Sequence, residues 1–146
     1  MPIHPFVVHF GIAFSWLAAL GYLSMYLPHP PFSIKQIFII HLGAVGGILG
    51  AIFSGLSAGD GLDLSLQAAE LLQSHQLWGY ISLWLIGLLG LWAYLRMSRW
   101  LKIEKLLFTC LFLLSCILMS VGTHLGGKMV YEEGVGVSGY QMEHEK

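Results

Sequence analysis

Four apolar runs, residues 6–27, 34–56, 77–95 and 106–125, decide what this chain can become. Each is close to the roughly 20 residues needed to cross the hydrocarbon of a bilayer. Only 10% of the 146 residues are charged and the mean hydropathy is +0.73, whereas a soluble domain carries about 25% charge. That charge cannot cover a water-facing surface, so lipid must solvate most of the chain. The net charge of −1 provides no basic stripe for nucleic acid. No Cys-x-x-Cys-His occurs, which excludes covalent c-type haem. Cys110 and Cys116 point to different sides of one helix at about 100° per residue.

The expected fold is therefore all-α: an integral membrane four-helix up-down bundle in one domain, 1–137, followed by a polar tail, 138–146. "PHPPFS" separates the first two spans and "RMSRWLKIEK" the last two. Leu64, Ala68, Leu71, His75 and Trp78 recur at three and four residues, a helical stripe. The third helix is thus expected over 65–95, starting outside the hydrocarbon. No Lys/Arg region precedes the first run, so a cleavable leader is not expected.

Basic residues orient the bundle. Lys35 lies in loop one and Arg96, Arg99, Lys102 and Lys105 in loop three, whereas loop two has Asp60, Asp63 and Glu70. Loops one and three should face the cytoplasm, with both termini on the non-cytoplasmic side of a bacterial inner membrane. Gly43/Gly47, Gly46/Gly50 and Gly122/Gly126 form G-x-x-x-G pairs. These permit close helix packing or a glycine-lined surface for a flat cofactor.

Ligating residues within a membrane are functional candidates by default, so the depth of the histidines matters. His4 and His9 fall at the outer start of the first helix, His75 at the outer end of the third and His124 at that of the fourth. Three helices thereby bring imidazoles to one level. His41 lies some 20 Å deeper at 1.5 Å per residue, with no second histidine beside it.

Imidazoles from separate helices of a bundle suit a non-covalent b-type haem, whose iron takes one from each side. His9 and His75, on diagonal helices, are the expected axial pair. His124 is an alternative ligand or propionate contact, and His4 completes the cluster. A divalent metal held by His4, His9, His75 and His124 is the rival, although His4 and His9 stand about 140° apart round a helix. Each histidine also has a plain reading. His4 precedes Pro5 and can simply open a helix; His124 stands at a helix end marked by glycines; His41 can be structural. No Asp or Glu lies inside a span, so a carboxylate proton relay lacks its groups. Ser54, Ser82, Ser115 and Ser120 read as helix serines bonding back along the chain.

"IHPFVVHFGIA" and "LGGKMVYEEGVGV" resemble the end motifs of the four-helix bacterial membrane family catalogued as domain of unknown function 2231. The resemblance covers roughly residues 3 to 137. It points to His4, Pro5, His9 and Phe10, to His75, and to Gly126, Gly127, Val130, Tyr131, Gly134 and Val135. Gly11 replaces the family's proline after His-Phe, which should leave the first helix straight. Glu133 replaces its last histidine. Relatives associated with c-type cytochromes and Rieske proteins imply a respiratory setting.

These readings converge on a membrane haem b electron carrier or respiratory-complex anchor. It would pass electrons between quinol and an outer redox subunit such as a c-type cytochrome. Gly126 and Gly127 lie where backbone amides would meet a propionate. Membrane lipid is an expected partner, and a second copy of the chain is another. The alternatives are a non-catalytic structural subunit of a membrane complex and the histidine-lined metal site.

Overall fold

The computed structural model describes residues 3–59, 62 and 64–136; Asp60, Asp63, His144 and the tail 138–146 lie outside the described residues. Four helices result, α1 (Ile3–Ser24), α2 (Ile34–Gly59), α3 (Leu66–Arg96) and α4 (Lys102–Tyr131), with no strand among the described residues. All four are long and apolar enough to cross a membrane. Helices are the natural form for such runs, because hydrocarbon offers no water to satisfy backbone amides and carbonyls. The helices outrun the apolar runs at their polar ends. At 31 and 30 residues, α3 and α4 extend about 45 Å, well beyond a hydrocarbon layer of about 30 Å.

Local chemistry sets several of the ends. Ser33 and Gln36 form a capping box at the start of α2, with the Ser33 amide donating to Gln36 Oε1 at 2.8 Å. Ser65 is the N-cap of α3 and accepts from the Ala68 amide at 3.0 Å. At α4 the Leu101 amide donates to Glu104 Oε2 at 3.1 Å. That carboxylate also pairs with Arg96 at 2.8 Å, joining the end of α3 to the start of α4.

Each helix neighbours two others: α1 packs on α2 and α4, and α3 packs on the same two, so α1 and α3 are diagonal. Packing is tightest within the pairs α1–α2 and α3–α4, and glycine explains why. Gly11 and Gly47 put two backbones in contact; a Cβ at Gly47 would stand 2.6 Å from the Gly11 nitrogen. Gly122 likewise admits the Trp78 side chain, whose Cβ a methyl at Gly122 would meet at 2.8 Å. Gly11 thus serves close approach, and α1 runs unbroken through it.

The interior combines small residues (Ser15, Ala18, Ala44, Ala93) with a knot of large ones, Tyr22, Phe108, Phe112 and Ile37. Large apolar side chains cover the outside instead: Phe53 and Trp84 are each 68% exposed. That inversion is stable in lipid, where burial of apolar groups gives little advantage and close packing decides association.

The glycines differ in what they would tolerate. Gly47→Ala should lower stability by about 1–3 kcal/mol, the usual cost of overpacking, because backbone opposes the added carbon. Gly46→Ala, with nothing within 4 Å of its Cβ position, should be neutral or gain up to about 1 kcal/mol. Thermal melts of both variants in detergent measure the contrast; equal melting points would contradict the packing described here.

Candidate functional site

Three histidines cross to the next helix in the chain, each with its ring resting on a glycine there. His41 and His75 reach a backbone carbonyl one turn before that glycine, whereas His4 reaches a serine hydroxyl. His41 of α2 donates through Nε2–H to the Ile86 carbonyl of α3 at 2.9 Å, and its ring rests on Gly90. His75 of α3 donates through Nδ1–H to the Gly122 carbonyl of α4 at 2.8 Å, and its ring rests on Gly126. His4 of α1 meets the Ser54 hydroxyl of α2 at 3.0 Å, and that hydroxyl in turn donates to the Ala51 carbonyl, with the His4 ring on Gly55. A helical carbonyl already accepts one amide from four residues on, but its second lone pair remains free. A side chain at that fourth residue would block lateral approach. A methyl at Gly55 would stand 2.9 Å from His4 Cε1, and one at Gly126 would stand 3.0 Å from His75 Cε1. Glycine opens the carbonyl, and the imidazole fills the opening.

The deepest of the three is closed. His41 is fully buried, and the Tyr22 hydroxyl donates to its Nδ1 at 2.9 Å. Because the Ile86 carbonyl can only accept, Nε2 carries the hydrogen and Nδ1 offers a lone pair to Tyr22. Both nitrogens are committed. Phe112, Phe38 and Tyr22 surround the ring edge-on. His41 is a structural joint linking α1, α2 and α3.

The pair at the end of the bundle where α1 starts and α4 finishes is different. Ser54 Oγ donates to the Ala51 carbonyl at 3.1 Å, so it accepts from His4 Nδ1–H at 3.0 Å. His75 Nδ1–H is fixed by the Gly122 carbonyl. Both rings therefore hold the same tautomer, leaving Nε2 with a lone pair and no hydrogen-bond partner among the described residues. Both are half-buried. They come from diagonal helices and meet with ring centres 6.3 Å apart and planes nearly perpendicular, at 86°. Two imidazoles bound to one transition-metal ion through bonds of about 2.0–2.1 Å have ring centres roughly 5–6.5 Å apart. A backbone or hydroxyl acceptor on the far nitrogen is the support that ligating histidines ordinarily have. The His4–His75 level lies about 16 Å above the His41–Ile86 contact, by the eleven residues from His75 to Ile86.

The remaining sequence candidates fall elsewhere. His9, expected opposite His75, is exposed and bonds the Pro5 carbonyl of its own helix. Its place beside His75 is taken by His4. His124 is exposed too. Gly126 supports His75, whereas Gly127 has nothing within 4 Å of its Cβ position. Glu133 accepts from Ser65 Oγ at 3.1 Å, tying the end of α4 to the start of α3. Among the described residues no group of three or more His, Cys, Asp or Glu could hold a metal ion. Ser82, Ser115 and Ser120 bond back to carbonyls four residues earlier. Ser54, the serine that meets a histidine, was indistinguishable from them in sequence. The structural reading of His41 agrees with its place here, although the helices it joins were not readable from the sequence.

Four apolar spans and a half-buried imidazole pair at one end define a multi-pass membrane protein with a polar level near its surface. The chain belongs to the family described as predicted membrane protein (DUF2231), whose model matches residues 1–139. No curated protein and no solved structure matches the chain.

Removing one member of the closed joint exposes its energetics. Tyr22→Phe leaves the His41 Nδ1 lone pair buried without a donor and should cost about 1–3 kcal/mol. Ser120→Ala, which removes a hydroxyl bonded only to its own helix, should change stability by less than about 1 kcal/mol. Detergent unfolding curves compare the two; a Tyr22→Phe protein as stable as the parent would refute the joint.

Proposed function

We propose that the chain is a b-type haem electron-transfer subunit, or a haem-bearing anchor of a respiratory complex, with His4 and His75 as the imidazoles that would hold the iron. The observation that carries this reading is the pair of rings at 6.3 Å with both Nδ1–H groups engaged and both Nε2 lone pairs unused. Two protein ligands complete the coordination of a porphyrin iron, whereas a bare zinc or copper ion asks for a third or fourth. The donor set described here therefore suits haem better than a simple metal ion. His4 belongs to the α1–α2 pair and His75 to the α3–α4 pair. A flat group between the rings would accordingly lie along the less tightly packed seam between the two pairs. A haem held there would supply one-electron chemistry.

In the proposed role the protein fixes both imidazole tautomers and holds the site near the end that the basic residues orient away from the cytoplasm. Quinol would approach through the bilayer, and a c-type cytochrome or similar redox subunit would dock on the outer side. The setting is a bacterial inner membrane.

A second reading has its own support. His75 makes the same carbonyl-and-glycine contact as His41, which is wholly structural, so the outer pair also fits a non-catalytic subunit of a membrane complex. That alternative predicts a colourless protein.

The deciding experiment is the reduced-minus-oxidised spectrum of the full chain purified from haem-replete cells. Soret and α bands are expected, with both lost in His4→Ala and in His75→Ala and retained in His9→Ala and His124→Ala. A purified, folded parent protein without these bands would end the haem proposal.

A further inference from the structure

At the opposite end of the bundle, the turn between α3 and α4 presents cations with little to neutralise them. Arg96 is paired with Glu104, and Lys105 is engaged by the Met25 carbonyl at 3.3 Å and by the Tyr26 ring. Arg99 and Lys102 are exposed, and their side chains have no partner among the described residues. Between them in sequence lies Trp100, whose indole N–H is shielded from water without an acceptor, as is Arg96 Nε. Buried donors of this kind are rare and call for an explanation.

An apolar groove runs along the same helix pair. Leu85, Leu88 and Trp92 of α3 and Leu111, Leu114 and Leu118 of α4 line it. Its length is about 10 Å, from the seven residues that separate its ends on each helix. It begins next to the basic turn, since the rings of Trp92 and Trp100 are 6.4 Å apart. Leu88 and Leu114 are 56% and 49% exposed, so the groove opens sideways, towards lipid.

We propose that this face is a binding site for one anionic phospholipid. The phosphate headgroup pairs with Arg99 and Lys102, while one acyl chain lies in the groove between α3 and α4. Charge complementarity selects the headgroup. A zwitterionic lipid would bring a cation to the same place, and free phosphate would leave the groove unfilled. A basic turn next to a span attracts anionic lipid in the adjoining leaflet; the groove converts that attraction into a discrete site.

The test uses the full chain, delipidated in neutral detergent, with bound lipid read by native mass spectrometry. One phosphatidylglycerol per chain should be retained under conditions that strip phosphatidylcholine. The double variant Arg99→Gln/Lys102→Gln, altered only at exposed positions, should bind it at least about tenfold more weakly. Neither inorganic phosphate nor glycerophosphoglycerol, the headgroup without chains, should displace it. Equal retention of the two lipids, undiminished binding in the double variant, or displacement by phosphate or the bare headgroup would each overturn the proposal.

Discussion

A second hydrogen bond to a helical carbonyl organises this bundle. In lipid there is no strong apolar force to press helices together, so specific polar contacts and close packing must position them. A histidine that reaches a carbonyl of the next helix supplies direction as well as attraction. Only an absent side chain one turn along makes that carbonyl reachable. Gly55, Gly90 and Gly126 are therefore as much a part of the contacts as His4, His41 and His75.

Capping of the remaining ring nitrogen separates a joint from a candidate site. Tyr22 closes His41, and the ring becomes part of the core together with Phe108 and Phe112. His4 and His75 have no such cap. The bundle therefore contains its own control: one imidazole with both nitrogens satisfied, and two, brought together, that each keep a ring nitrogen without a hydrogen-bond partner among the described residues.

Much of this was legible in the sequence, and the limits have physical causes. The apolar runs report the spans directly because hydrocarbon thickness sets their length. The shared depth of the histidines follows from the helical rise alone. Rotation about the helix axis does not. Whether His4 or His9 turns towards His75 depends on how α1 seats on α2, and the backbone contact of Gly11 with Gly47 fixes that seating. No property of residues 1–10 encodes it. The role of His41 was hidden for a related reason: its acceptor is a main-chain carbonyl, which no side-chain motif records. The glycine pairs were visible, but what each glycine faces was not. Gly122 meets Trp78, whereas Gly46 meets nothing.

The distribution of these bonds also bears on assembly. His4 with Ser54 and Tyr22 with His41 are satisfied inside the first hairpin, and His75 with Gly122 inside the second. Each half can thus leave the insertion machinery with most of its polar groups already paired, at little cost from hydrocarbon. The His41 Nε2–H is left over until α3 presents Ile86. A buried donor of the first half thereby becomes a latch by which the two halves recognise each other.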